Sequence, residues 1–266
     1  MPPLALVGNL SYDLVDGGPP RIGGAPVHCG RAFRMLGVRA TLLARCAPDD
    51  VPAFRRGFAE LGLPVVILPS ERTTTFAFGY DGDRRIMRVS QVGDDWDSDH
   101  VATVPRGAWV HVGALLRGDF PETTLARLAR GRVLSLDGQG LTRVREVGPL
   151  RLEADTSRDL LRHVSILKLA VEEAEALVGR VDACALARLG PAEILVTLGS
   201  DGALVVTDGR AQEIRTRHVD VDPTGSGDAF AAAYLVSRAH GHAPLASARR
   251  ATALVGDMLR ARRRPR

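Results

Sequence analysis

Val219-Asp220-Val221-Asp222-Pro223-Thr224-Gly225-Ser226-Gly227-Asp228-Ala229-Phe230 is the stretch on which the reading of this chain turns. Val219 and Val221 alternate with acids, as at the end of a strand, and Pro223 and Thr224 break it. Gly225 and Gly227 permit a tight turn and close approach of the backbone to another group. From Ala229 the run AFAAAYLVSRA is strongly helix-forming. A glycine turn opening a helix presents unpaired N–H groups and the positive end of the helix dipole, which suits an anion. Asp228 sits in that first turn, where a carboxylate is either a helix cap or a catalytic base.

Around this stretch lie 266 residues of ordinary globular composition, with a net charge of +4. No apolar run approaches the roughly 18 residues that would cross a membrane. MPPLALVGNL lacks a basic segment before an apolar one, so no signal peptide is expected. Cys29, Cys46 and Cys184 show no CxxC spacing, which argues for reduced thiols in a cytoplasmic protein. Arginine is scattered apart from the run 260–266, and aromatics are few. That pattern argues against nucleic acid as a partner, and the tail reads as a solvated helix end. Lys168 is the only lysine in a chain crowded with arginine. It is either a chance survivor or a position where a compact ammonium is required.

The rest of the chain alternates between strand and helix patterns. Apolar runs at 4–7, 42–43, 65–68, 109–112, 133–136, 166–167 and 194–197 read as strands, with helical patterns between them. Phe54, Phe58 and Leu61 fall on one helical face behind Asp49-Asp50. Residues 73–90 break the rhythm with a β-rich alternation folded at Asp81-Gly82-Asp83, a hairpin outside the main sheet. Residues 203–207 and 211–215 suggest a terminal hairpin, and 244–262 a last helix. Alternating strands and helices predict an α/β fold with a mostly parallel sheet covered on both faces. Ligands in such sheets bind beyond the carboxyl ends of strands, where Asp13, Asp137, Lys168, Gly199 and Asp228 are expected. No domain boundary is evident, so one domain spanning 1–266 is expected, with a lid from about 10–22 and 73–90.

Several chemistries are excluded by motif. GxxxxGK[ST], a GxGxxG after the first strand, HExxH, paired CxxC and GxSxG are all absent. The segments that remain form an ordered set. DPTGSGDAF at 222–230 resembles the C-terminal signature of the ribokinase-like (PfkB) carbohydrate kinases. Gly23-Gly24-Ala25-Pro26, opening a helix that ends at Gly37, resembles the family's early glycine signature. Gly8 with Asp13 resembles its first strand and substrate aspartate. Thr197-Leu198-Gly199-Ser200-Asp201-Gly202 resembles its nucleotide-binding turn. The four occur in family order and span nearly the whole chain.

The resemblance implies a three-layer α/β/α sandwich with a small reduced β lid, and a kinase that moves the γ-phosphoryl of ATP to a hydroxyl of a small carbohydrate or cyclitol. Asp228 would be the general base, and Gly225, Ser226 and Gly227 the anion hole. Asp13, Gly23, Gly24 and His28 would bind substrate; Thr197, Gly199, Asp201, Gly202, Thr224 and Lys168 would serve the nucleotide. Glu173 would organise Mg²⁺ through water. The chain departs from the family in three ways. His28 stands where Asn is frequent, which alters substrate preference or merely places a histidine on a helix surface. Ala170 replaces the Asn of Asn-x-x-Glu, leaving Mg²⁺ to Glu173 and bringing Lys168 near phosphate. The short segment between Asp13 and Gly23 implies a reduced lid, and the short C-terminal end a more open adenine pocket.

A short lid, VDPTGSGD and a lysine-bearing strand are similar to plant myo-inositol kinases. On that similarity Asp137, Gln139 and Arg143 are substrate contacts, against the alternative of an ordinary β-to-α loop. Phe76, Phe78 and Tyr80 in the lid keep a nucleoside acceptor open, and the substituted asparagines keep open a non-catalytic binding protein on the same scaffold. A homodimer through the exposed lid edge is a further expectation.

Overall fold

A computed structural model of the chain describes residues 1–81, 84–154, 158–217, 219 and 221–263. Gly82 and Asp83 of the hairpin turn, Asp220 and the last three arginine-run residues lie outside the described residues, as does the side chain of Tyr80. In chain order the elements are β1 Leu4–Asn9, β2 Ser11–Val15, β3 Arg21–Gly23, α1 Ala25–Met35, β4 Thr41–Cys46, α2 Val51–Glu60, β5 Val65–Pro69, β6 Thr74–Asp81 and β7 Arg84–Gln91. There follow β8 Trp109–Gly113, α3 Glu122–Ala129, β9 Val133–Asp137, α4 Gln139–Thr142, β10 Gly148–Pro149, β11 Ile166–Ala170, α5 Val171–Val178 and α6 Ala183–Ala187. The chain closes with β12 Glu193–Thr197, β13 Gly202–Thr207, β14 Arg210–Arg215, α7 Ser226–Ala239 and α8 Pro244–Arg263.

Strand β1 shows why the sheet lies in the middle. All six of its residues are buried, and successive side chains point to opposite faces. Leu4 and Leu6 join Phe33 of α1, Phe54 and Phe58 of α2 and the apolar residues of α7 and α8. Ala5 and Val7 join Leu125 and Leu128 of α3, Ala174 of α5 and Leu186 of α6. The nine strands run in the order β14-β13-β12-β11-β9-β8-β1-β4-β5. They are parallel from β5 to β12, and the terminal hairpin adds β13 and β14 antiparallel. The result is the expected three-layer sandwich.

The lid is a second sheet, ordered β10-β7-β6-β2-β3. Asp13 therefore lies in the lid strand β2, opposite Arg21 and Phe76, and not at the end of a central strand. Gly148–Pro149 adds a short edge strand against β7 that the sequence pattern did not reveal, since two residues carry no periodicity. Val219 and Val221 form no strand; both line a cavity. Their alternation reflects a buried wall, not a sheet partner. Asp50 does not cap α2 through its side chain, and instead accepts the Thr73 hydroxyl at 2.6 Å, tying α2 to the start of the lid hairpin.

Helix α7 fixes the site. Ten of its 14 residues are buried, and it packs between α1 and α8. Near its far end, Tyr234 donates to Glu193 of β12 at 2.5 Å and Arg238 forks onto the same carboxylate at 2.6 and 3.1 Å. These bonds anchor the helix axis to the sheet and leave its first turn at the sheet's carboxyl edge. Tyr234→Phe is expected to lower unfolding stability in urea by about 1.5–3 kcal/mol, the range for a hydrogen bond to a charged group.

Candidate active site

Gly225 caps α7 with φ 77°, a left-handed conformation that disfavours any L side chain. Space forbids one as well, because a Cβ there would lie 2.4 Å from Nδ1 of His28. His28 is thus not a helix-surface residue; only 8 % of it is exposed and its Nδ1 has no hydrogen-bond partner. Burial, with Arg31 and Arg262 nearby, lowers its pKa to about 4, so the ring is neutral at pH 7. The Ser226 N–H donates to the Pro223 carbonyl at 2.9 Å and closes the turn. That amide is therefore engaged, and an anion at this turn falls to the next helical amides, Gly227 and Asp228.

Two cavities meet at this turn. One, of 180 Å³, lies under the lid and is bordered by Asp13, His28, Gln139, Arg143, Gly225 and Asp228. Gly24 and Thr224 also border it, so Thr224 lines this cavity and not the larger one. Gly23 stays just outside, where a Cβ would lie 2.9 Å from the Asp13 carboxylate. Ser11 and Met87 are lining residues that no motif marked, whereas Phe76 and Phe78 line it as their lid positions suggested. The second cavity, of 360 Å³, is bordered by Ser226 and Gly227 and by Thr197, Gly199 and Gly202 of the β12–β13 turn. Val219, Val221 and Phe230 give it an apolar wall, closed by Val255 and Leu259 of α8. Asp201 is exposed and stands apart from it.

Behind both cavities is a buried charge cluster. Lys168 Nζ lies 3.5 Å from Asp137 Oδ2, and a Cβ on Gly227 would be 2.9 Å from it. The lone lysine thus places its ammonium directly against the glycine turn. Burial opposes the charged form, but Asp137, Glu173 and Asp228 outweigh it and hold the Lys168 pKa above its ordinary value. Asp137 does not border the acceptor cavity: one oxygen accepts the Gln139 amide at 3.3 Å and the other faces Lys168 without a hydrogen bond. Glu173 accepts the Ala170 N–H at 2.8 Å at the start of α5, with Arg143 Nε 3.8 Å from its other oxygen. Burial raises the Glu173 pKa against the pull of Lys168.

Asp228 carries the largest functional consequence. Burial and the neighbouring Asp137 push its carboxyl up to about 7, opposed by Lys168 and Arg143. Its backbone carbonyl accepts the Cys29 thiol at 3.2 Å, fixing the first turn of α7 to α1. Arg262, near the end of α8, donates to the carbonyls of Asp222 and Thr224 at 2.9 and 3.0 Å. The start of the arginine run is therefore a brace on the loop leading into Gly225, which a count of charges in sequence does not reveal.

A general base at this position would have to be deprotonated to act, so on that role kcat/KM should rise with pH up to about 7 and then level. Lys168→Met, which removes a cation that favours the Asp228 carboxylate, should move that limb to higher pH in a pH–rate profile. Arg262→Ala should lower kcat by roughly fivefold, the worth of about 1 kcal/mol, with an unchanged melting temperature.

Comparison with known proteins bears on this geometry. The chain is 29 % identical to a pyrophosphate-dependent kinase of the ribokinase family solved with a pyrophosphate analog and myo-inositol; the match covers 97 % of this chain and 95 % of that one, with a TM-score of 0.85. It is 26 % identical to a fructokinase of Escherichia coli over 86 % of this chain and 82 % of the fructokinase. A fructokinase from Vibrio cholerae, 22 % identical over 96 % of this chain and 90 % of its own, shares the fold with a TM-score of 0.72. The model of the pfkB family carbohydrate kinases matches residues 21–256. With its glycine turn, its Asp228 and its two facing cavities in place, the chain belongs to the pfkB family of carbohydrate kinases, enzymes that are phosphotransferases.

Proposed function

We propose that this kinase phosphorylates a hydroxyl of a compact polyol, a sugar or a myo-inositol-like cyclitol, with Asp228 as the general base. The observation that carries the reading is that the first turn of α7 borders both cavities, with Asp228 on the acceptor side and Gly227 on the donor side. A hydroxyl in the 180 Å³ cavity gives its proton to Asp228 as it attacks. The phosphoryl group crosses between the cavities, its charge met by the Gly227 amide and the Lys168 ammonium. Asp13, Gln139 and Arg143 orient the acceptor hydroxyls, and the neutral His28 ring closes the wall beside Gly225. Similarity to the kinase solved with myo-inositol supports a cyclitol. Phe76 and Phe78 offer the surface a nucleoside base would need, so nucleosides belong in the acceptor panel.

For the donor, the apolar 360 Å³ cavity beyond Gly227 supports ATP, with the base against Val219, Val221 and Leu259. A second reading, pyrophosphate, is supported by the kinase that resembles this chain over 97 % of its length. Mg²⁺ accompanies either donor and supplies charge neutralisation. Among the described residues no group of three His, Cys, Asp or Glu side chains is placed to hold a metal. The orphaned buried Asp137 Oδ2 and the adjacent Glu173 fit an ion carried chiefly by donor phosphates and met by the protein through water. Among the described residues no helix is long and apolar enough to cross a membrane.

The test is phosphate transfer over a panel of hexoses, cyclitols and nucleosides, each with ATP and with pyrophosphate. Asp228→Asn should lower kcat by about 10²-fold or more with little change in acceptor KM. Turnover that survives the substitution removes the base role. Tight acceptor binding without turnover, with either donor, would replace catalysis by binding.

A further inference from the structure

The donor cavity does not end at its apolar wall. It opens into a groove of 630 Å³ between β14 and α8, and the two share Thr216, Arg217, Thr252 and Gly256. Four arginines border the groove: Arg215 at the end of β14, Arg217 just beyond it, and Arg249 and Arg260 on α8. Arg249 and Arg260 are 11 residues apart, which on an α-helix is three turns, so both face the groove about 16 Å apart. Gly256 lies between them, and the Arg260 guanidinium lies over it, 3.2 Å from where a Cβ would be. Thr252 shares the face, and its buried Oγ1 has no hydrogen-bond partner.

The charges do not cancel. Glu213 lies 3.6 Å from Arg215, and Asp257 lies 2.8 Å from Arg260. Arg217 and Arg249 have no carboxylate partner among the described residues. A guanidinium presents a planar fork of donors matched to phosphate oxygens. Two exposed forks unpaired among the described residues, at the mouth of a cavity that begins at a glycine turn, make the groove positively charged.

We infer that the Arg217–Arg249 groove is a second anion site of this kinase, taking a polyphosphate-class ligand at the outer mouth of the donor cavity. Its ligand is an inorganic polyphosphate chain or the phosphates of an ester. The site lies beyond the glycine turn, and although Arg217 also borders the donor cavity, Arg215, Arg249 and Arg260 border only the groove.

Calorimetric titration at constant ionic strength tests it, with inorganic tripolyphosphate as the probe. Wild type should bind tripolyphosphate at two sites. The pair Arg215→Gln with Arg249→Gln, neither of which borders the donor cavity, should weaken one site by roughly tenfold or more and leave the other. The control pair Arg55→Gln with Arg130→Gln, exposed arginines on other elements, should keep both. A single site indifferent to the groove pair, or an equal loss in the control pair, overturns the assignment. The same titration with ATP identifies the source: a parallel loss in the groove pair admits esterified phosphates, and unchanged ATP binding restricts the groove to inorganic chains. Because the readout is binding, its outcome is independent of whether any acceptor is turned over.

Discussion

Helix α7 is buried along most of its length, and that constraint organises the protein. Ten apolar or small residues commit it to the space between α1 and α8, so its first turn has one place to be. The half-buried Glu193 carboxylate holds the other end through Tyr234 and Arg238. At the free end, the positive φ of Gly225 and the His28 ring beside it leave room for nothing larger than a hydrogen. The glycine turn is thus rigid because a helix far larger than it is held at its other end and along its sides. A rigid first turn matters because phosphoryl transfer depends on positioning and on charges fixed before the reaction begins.

Electrostatics supply the second layer. Asp137, Glu173 and Asp228 are gathered around one ammonium, with Arg143 at the edge. Lys168, the one lysine in a chain rich in arginine, sets a compact point charge between Asp137 and the Gly227 backbone. Its neighbours raise its proton affinity, so it remains charged across the working pH range, while the same crowding raises that of Asp228. One cluster thereby holds a charged lysine and a carboxyl whose pKa lies near neutrality.

The lid and the C-terminal helix complete the two cavities from opposite sides. The lid sheet brings Asp13, Phe76 and Phe78 over the acceptor. On the other side Val255 and Leu259 of α8 wall the larger cavity and Arg262 braces the loop before Gly225. Past that wall the chamber changes from apolar to arginine-lined, so a donor and a second anion meet chemically different surfaces along one cleft.

The sequence by itself determined the alternation of strands and helices, the terminal hairpin, the last helix and the glycine turn before Asp228. These are local: hydrophobic period and turn chemistry act over a few residues. Four ordered segments were enough to indicate the kinase family. Only the packed structure showed that Asp13 pairs with Arg21 and Phe76 in the lid sheet expected over 10–22, that Ser226 spends its amide on Pro223, that Asp137 pairs with Lys168 instead of bordering the smaller cavity, and that His28 is buried against Gly225. It also turned Arg262 from a solvated tail residue into a brace, and Val219 and Val221 from a strand into a cavity wall. Each of these depends on contacts between segments far apart in the chain, where charge, burial and space are set by neighbours that no local pattern names.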